Sequence, residues 1–154
     1  MYSTLLIAHS LFRWLVLGSL LYATGRAWQG YMSGSVFTKT DNSFRHWTAT
    51  LAHIQLLIGL TLYGISPVVK AFLVHVSESV RHLNTAFFGV VHIGFMLVSI
   101  VVLTIGSALA KRRPTDREKF RTIALWFSVA LLLIFLAIPW PFSPLANRPY
   151  FRGF

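Results

Sequence analysis

Four apolar runs, each long enough to cross a lipid bilayer, constrain what this chain can fold into. They cover residues 5–24, 47–66, 86–109 and 123–140, and a helix of about 20 residues spans a hydrocarbon core of roughly 30 Å. Only 12% of the 154 residues are charged, whereas a soluble domain carries about 25%. We therefore expect an all-α, polytopic membrane protein in which residues 1–154 form one four-transmembrane-helix bundle in the lipid bilayer.

The basic residues of the loops indicate how the bundle is oriented. The net charge is +10, and nine Lys and Arg residues lie in the loops that join spans 1–2 and 3–4, against four on the opposite side. Cytoplasmic loops are enriched in Lys and Arg, so both termini are expected on the non-cytoplasmic side. The same rule explains the positive charge without a nucleic-acid partner. Six of the nine cluster between spans 3 and 4: Lys111, Arg112, Arg113, Arg117, Lys119 and Arg121.

Local signals predict where helices begin and end. Residues 30–44 are rich in small and polar side chains and are expected to form a solvated loop. The second span should stop at Ser66-Pro67, because proline disfavours helix in the residue before it, and a short amphipathic helix is expected beyond it in the outer interface. Thr115 and Glu118 have capping-box spacing, which predicts a helix start. The chain has no cysteine, which excludes disulfides and thioether-linked haem.

The first span carries two ionisable side chains, His9 and Arg13, four residues apart on one face of the helix. Ionisable groups are costly inside a membrane and by default mark a functional site. His53 and His92 lie inside the second and third spans, so three spans carry a histidine. Such residues either bind a cofactor or make helix-to-helix hydrogen bonds worth about 1 kcal/mol each. The residues alone leave both interpretations open.

The expected depth of each histidine in the bilayer indicates which two of the three could bind one haem iron. A rise of about 1.5 Å per residue places His9 and His92 roughly 8 Å outward of the middle of their spans, and His53 roughly 5 Å inward. The axial ligands of a haem iron come from opposite faces at nearly the same height. His9 and His92 are therefore the preferred pair, and His53 is an alternative ligand or a second-site residue. A zinc or copper site would need all three within about 2 Å of the metal, which these depths disfavour.

Arg13 lies in an apolar run, and no acidic side chain lies in any of these runs to pair with it. All four carboxylates of the chain lie outside these runs: Asp41, Glu78, Asp116 and Glu118. The arginine therefore meets a backbone carbonyl, a lipid phosphate reached by snorkelling, a partner subunit or the propionate of a cofactor. Arginine binds a carboxylate through two parallel hydrogen bonds, and haem brings two carboxylates, so the missing acid favours the cofactor.

Five short motifs run through nearly the whole chain: His9-Ser10…Arg13-Trp14, His53-Ile54-Gln55…Gly59, His92…Met96, Thr104-Ile105-Gly106 and Pro139-Trp140-Pro141. At these positions the chain resembles a family of small bacterial four-span membrane proteins that are labelled cytochrome b-like. The resemblance implies a non-covalently held b-type haem, electron transport in a respiratory chain and a place in the bacterial inner (cytoplasmic) membrane. The matching positions are His9, Arg13, His53 and His92. The chain is similar more distantly to four-helix cytochromes b with two haems, but its fourth span has no histidine for a second one.

The residues and the resemblance together predict one b-type haem, ligated by His9 and His92, with a propionate on Arg13. Gln55 or His53 is expected to shape this site or a nearby quinone pocket. The expected function is electron transfer between a quinone pool and a respiratory partner, as a cytochrome or as a subunit of a quinol-linked oxidoreductase. The alternative is a non-redox accessory subunit of a larger membrane complex, whose polar side chains bond a protein partner or a second copy of the chain.

Overall fold

The computed structural model describes residues 1–144, 146 and 148–150. Over these residues the chain is built from helices joined by short connections. A five-residue π-helical turn, Phe87–Val91, leads directly into the helix that carries His92. The α-helices in chain order are α1 (Tyr2–Ser33), α2 (Lys39–Ile65), α3 (Pro67–Val74), α4 (Val76–Ser79), α5 (Leu83–Ala86), α6 (His92–Arg112) and α7 (Asp116–Ala137).

The predicted all-α fold with four spans is confirmed. Four helical units are long and apolar enough to cross a membrane: α1, α2, α7 and the continuous stretch Leu83–Arg112, which joins α5, the π turn and α6. Large apolar side chains also cover the outside of the bundle, among them Leu15, Leu57 and Leu132. Such a surface suits contact with lipid tails, so the chain is a multi-pass membrane protein. The side of the membrane on which the termini lie stays a prediction.

The four spanning units form a bundle in which neighbours in sequence are neighbours in space. α1 packs against α2 and α7, α6 packs most extensively against α7, and α2 meets α6 less closely. Short connections make adjacent spans antiparallel. We call residues 1–16, 52–100, 131–144, 146 and 148–150 the termini half of the bundle, and residues 17–51 and 101–130 the loop half.

The connection between the first two spans is shorter than predicted. The solvated loop expected over residues 30–44 is wrong, because α1 continues to Ser33 and α2 already begins at Lys39. Gly34 ends α1 in the left-handed conformation, with φ of 65°, which glycine adopts without steric cost. Thr38 and Asp41 then form a capping box that starts α2. The same small and polar residues that resemble a loop are helix caps here.

Other predicted boundaries agree with the structure. Thr115 and Glu118 form the predicted capping box at the start of α7. α2 ends at Ile65, with Ser66 as its cap, and α3 follows as the predicted short helix.

One boundary differs from the prediction. The fourth span ends at Ala137 rather than Trp140, because proline at position 139 disfavours helical backbone in the residue before it.

The loop half is closely packed. Its core contains large side chains with almost no exposed surface, including Leu20, Leu103 and Phe127. Gly106 lets α6 approach α7 so closely that a Cβ there would overlap the side chain of Trp126. Small residues at helix contacts allow this approach, which is how spanning helices gain dispersion energy in lipid.

Candidate functional site

The termini half contains a cavity of about 190 Å³. Its walls come from the first half of α1, the second half of α2, α3, the start of α6 and the segment after α7. A largely apolar cavity with a few convergent polar groups is the default candidate for a binding site. The polar or ionisable residues that line it are Tyr2, His9, Ser10, Arg13, Gln55, Tyr63, Ser66, His92 and Arg148.

His9 and His92 approach each other across this cavity. Their ring centroids are 6.4 Å apart and the ring planes are inclined by 74°. The first and third spans therefore bring these two rings close together, and the common depth expected for them in the membrane stays a prediction. Their role as metal ligands stays a prediction.

The orientation of His92 depends on two interruptions of regular helix. The π turn before it shifts the register of the third span, and such turns often occur at functional sites. The second interruption is the end of α7. There the carbonyl oxygen of Ala137 lies 2.8 Å from Nδ1 of the His92 ring. This carbonyl is available because α7 ends there and Pro141, four residues on, has no N–H to donate to it. An acceptor at Nδ1 requires the proton on that nitrogen, which leaves the Nε2 lone pair for a ligand.

Two buried polar atoms at His9 and its neighbour Gln55 make no hydrogen bond to the described residues. The Gln55 side chain donates through Nε2 to the carbonyl oxygen of His9 at 2.9 Å. His9 Nδ1 and Gln55 Oε1 are both buried, and neither has a hydrogen-bond partner among the described residues. Gly59 faces the same ring, and a Cβ there would lie 3.1 Å from His9 Cε1. Buried polar atoms without partners are uncommon in proteins, and both belong to residues that line the cavity.

Arg13 is held by the segment that follows α7. Its Nη2 donates to the carbonyl oxygen of Tyr150 at 2.7 Å and to Ser10 Oγ at 3.4 Å. Trp14 Nε1 donates to the same carbonyl at 3.3 Å, and the Arg13 guanidinium lies 5.2 Å from the centre of the Trp14 ring. The sequence left four kinds of partner open for Arg13, and one of them, a backbone carbonyl, is present as that of Tyr150. The contact also brings the C-terminal segment over the first turns of α1.

His53 lies outside the cavity. One of its ring nitrogens is 2.7 Å from the carbonyl oxygen of Ala49, and the other is 3.1 Å from Thr104 Oγ1. The structure therefore does not bring His53 together with His9 and His92. Among the described residues, no three His, Cys, Asp or Glu side chains are grouped so that they could hold a metal ion. The three-histidine zinc or copper site is not formed.

Several polar residues of the cavity, among them Tyr63 and Arg148, were not singled out from the sequence. Tyr63 donates its hydroxyl to the carbonyl oxygen of Gly89 at 2.8 Å, which ties α2 to the π turn. Arg148, which entered the sequence argument only as one of the four basic residues on the side of the termini, also lines the cavity. The aromatic residues near it were a usable signal, because Trp140 packs against Trp14 with ring centroids 6.1 Å apart.

Comparisons of the chain with family models, with curated proteins and with solved structures find no match. The cytochrome b-like resemblance therefore rests on the short motifs alone.

Proposed function

We propose that this chain is a b-type haem protein of the membrane that transfers electrons between a quinone pool and a respiratory partner. The observation that carries the proposal is the pair of imidazole rings, 6.4 Å apart between centroids, on two facing helices at one cavity. Metal–nitrogen bonds of about 2.0 Å would put two rings on opposite sides of one metal with centroids roughly 6 Å apart. This separation therefore fits two axial ligands.

The buried atoms of the cavity are consistent with the same ligand. The Ala137 carbonyl holds the Nδ1 proton of His92 and so directs Nε2 to the cavity, which is the usual second contact of a metal-binding histidine. His9 Nδ1 and Gln55 Oε1, which lack partners among the described residues, belong to residues that line the same cavity. Arg13 would hold a propionate by charge-assisted hydrogen bonds.

A bound haem supplies a one-electron iron couple whose potential depends on its axial ligands, their hydrogen bonds and burial. The protein contributes the rest. The apolar walls would exclude water, His9 and His92 would hold the haem between them, and the Ala137 carbonyl would raise the basicity of His92. We propose a quinol as electron donor because the cavity lies within the spanning bundle, where a lipid-soluble donor is present, and one residue that lines it, Leu60, is 40% exposed.

The decisive experiment is an optical spectrum of the full chain in detergent, oxidised and then reduced with dithionite. The wild type should show a Soret band and a reduced α-band. His9→Ala and His92→Ala should each abolish the low-spin spectrum, because one axial ligand is lost. His53→Ala and His46→Ala remove imidazoles outside the cavity and should leave the spectrum intact. A wild type without a reducible spectrum after haem reconstitution would overturn the proposal.

One set of contacts favours a second candidate, a non-redox accessory subunit of a larger membrane complex. Several polar side chains bridge helices within the bundle, as a purely structural network would. Examples are Gln55 Nε2 to the His9 carbonyl at 2.9 Å and Trp28 Nε1 to Ser128 Oγ at 3.0 Å. This candidate predicts stoichiometric co-purification with a large complex and no bound chromophore.

A further inference from the structure

Six basic and two acidic side chains lie between Lys111 and Arg121, where α6 ends and α7 begins. Three of the basic ones have contacts within the chain: Arg113 with Thr122, Arg117 with the Tyr31 ring and Lys119 with Asp116. The other three, Lys111, Arg112 and Arg121, are exposed, and none of them forms a hydrogen bond or an ion pair with a described residue. Arg121 lies near Glu118, whose carboxylate accepts from Thr115 in the capping box. We call Lys111, Arg112 and Arg121 the cationic cluster.

The cationic cluster lies at one level of the hairpin that α6 and α7 form. Gly106 of α6 and Trp126 of α7 are neighbours, because a Cβ on Gly106 would overlap the Trp126 side chain. Lys111 follows Gly106 by five residues, and Arg121 precedes Trp126 by five. The two helices are antiparallel and each rises about 1.5 Å per residue, so both side chains start about 7.5 Å from this contact, toward the connection. Arg112 is one residue farther along α6.

Exposed apolar side chains lead away from the cationic cluster along both helices. Residues three and four apart share one face of a helix, and exposed positions recur at this spacing along α6 up to Lys111 and Arg112 and along α7 from Arg121 onward. The apolar members of these two stripes are Val98, Val101, Ile105 and Ala108 on α6 and Leu125, Val129 and Leu132 on α7. Each stripe therefore has a positive end beside an apolar, lipid-facing surface. A phospholipid with an anionic headgroup matches this surface in both respects.

Basic residues in a loop between spans are expected from topology alone. That rule does not explain why the three side chains without an internal partner share one level and stand at the ends of two apolar stripes. Basic groups at the end of spanning helices attract anionic lipid headgroups. We propose that the cationic cluster binds the phosphate headgroup of an anionic phospholipid, whose acyl chains lie along the stripes of α6 and α7. This site is separate from the cavity and does not depend on haem.

The test compares dioleoyl phosphatidylglycerol with dioleoyl phosphatidylcholine, which have the same acyl chains and differ in the net charge of the headgroup. Their dissociation constants for the full chain in a neutral detergent are measured by titration in native mass spectrometry. The wild type should bind the anionic lipid at least tenfold more tightly. Arg112→Gln and Arg121→Gln should each lower this ratio about fivefold, which corresponds to about 1 kcal/mol for one charge at the membrane surface.

Arg117→Gln is the matched control. It removes the same charge from the same end of α7, but its guanidinium lies 5.2 Å from the centre of the Tyr31 ring of α1, on another side of the helix. The lipid ratio should therefore stay within about twofold of the wild-type value. Arg112→Lys should also keep the ratio, because a lipid phosphate is attracted by the charge. If circular dichroism shows that one of the two Gln variants of the cluster does not fold, Lys111→Gln takes its place.

Several results would overturn the proposal. One is a wild type that binds the two lipids equally, and another is an Arg117→Gln variant that loses as much preference as Arg112→Gln, since the attraction would then belong to the whole connection. Displacement of the lipid by an equal concentration of glycerol 3-phosphate would indicate a site for a soluble anion. A chain that is dimeric in neutral detergent, binds neither lipid and becomes monomeric as Arg112→Gln would assign the surface to a second copy.

Discussion

The two halves of the bundle are made from the same four helices, yet they are packed in different ways. In the loop half, side chains such as Leu103 and Phe127 are 0% exposed, and Gly106 draws two helices together. In the termini half, the helices surround a cavity of about 190 Å³. The π turn at Phe87–Val91 and the early end of α7 both occur in this half. Regular helices with small contact residues close one half, and interrupted helices keep the other open.

The polar groups differ in the same way. In the loop half, Arg26 forms an ion pair with Asp41 at 2.9 Å, and Arg45 donates to the Ser107 carbonyl at 3.0 Å. In the termini half, His9 Nδ1 and Gln55 Oε1 are buried without partners among the described residues. Thr24 Oγ1 in the loop half is also buried without a partner among the described residues, but it does not line the cavity. Unsatisfied buried groups lower stability, so the two atoms beside the cavity are consistent with a site that a ligand completes. The comparison assigns stability mainly to the loop half and binding to the termini half.

The largest effect should come from truncating the same residue type in each half. Leu103 is 0% exposed and Leu62, which lines the cavity, is 7% exposed. Leu103→Ala should lower the free energy of unfolding by about 2–5 kcal/mol, because it opens a new cavity in a packed core. Leu62→Ala should cost less than half as much, since it only enlarges an existing one. Reversible unfolding in mixed micelles, followed by circular dichroism, measures both, and equal losses would break the comparison.

The next largest effect should come from a methyl group placed between α6 and α7. A Cβ at Gly106 would overlap Trp126 close to its backbone, whereas Gly94, on the same helix, has nothing within 4 Å of its Cβ position. Gly106→Ala should therefore destabilise the bundle by about 1–3 kcal/mol through overpacking. Gly94→Ala should leave the free energy of unfolding unchanged or slightly higher. If the two variants unfold alike, the seam between these helices is not closely packed.

A methyl group on the cavity wall should affect binding more than stability. A Cβ at Gly59 would lie 3.1 Å from His9 Cε1, and Gly64, farther along α2, has open space at its Cβ position. Gly59→Ala should shift the His9 ring and weaken haem binding about tenfold, or about 1.4 kcal/mol. Gly64→Ala should bind as the wild type does. A spectroscopic titration gives both affinities, and unfolding curves that change in step with them would contradict the assignment of binding to this half.

The smallest effect concerns the caps at the two ends of the bundle. Thr115 Oγ1 accepts from Glu118 N at 3.3 Å within a complete capping box, whereas Ser66 Oγ accepts from Val69 N at 3.5 Å without one. Thr115→Ala should lower the free energy of unfolding by about 1 kcal/mol, as lost caps usually do. Ser66→Ala should cost a few tenths of that, because its bond is long. The same unfolding assay measures both, and a reversed order would show that the box contributes little.

Much of the fold could be predicted because it depends on properties of single helices. Apolar length gave the four spans, and the rise per residue indicated that His9 and His92, whose rings are close in the structure, could pair. The capping box at Thr115 and the proline after Ser66 marked two helix boundaries. The loop expected over residues 30–44 was wrong because Thr38 and Asp41 cap a helix there. Polar residues of this kind suit a loop and a cap equally, so local composition could not distinguish them.

By itself, the sequence determined that the chain has four helices able to cross a membrane, and it predicted that His9 and His92 would face each other. Only the tertiary structure decided what surrounds them. The Tyr150 carbonyl meets Arg13 across 137 positions of the chain, and Arg148 meets Asn84 across 64. Helix periodicity fixes which residues share a face of one helix. It cannot say where a segment after the last helix returns, because that path is set by contacts between residues far apart in sequence.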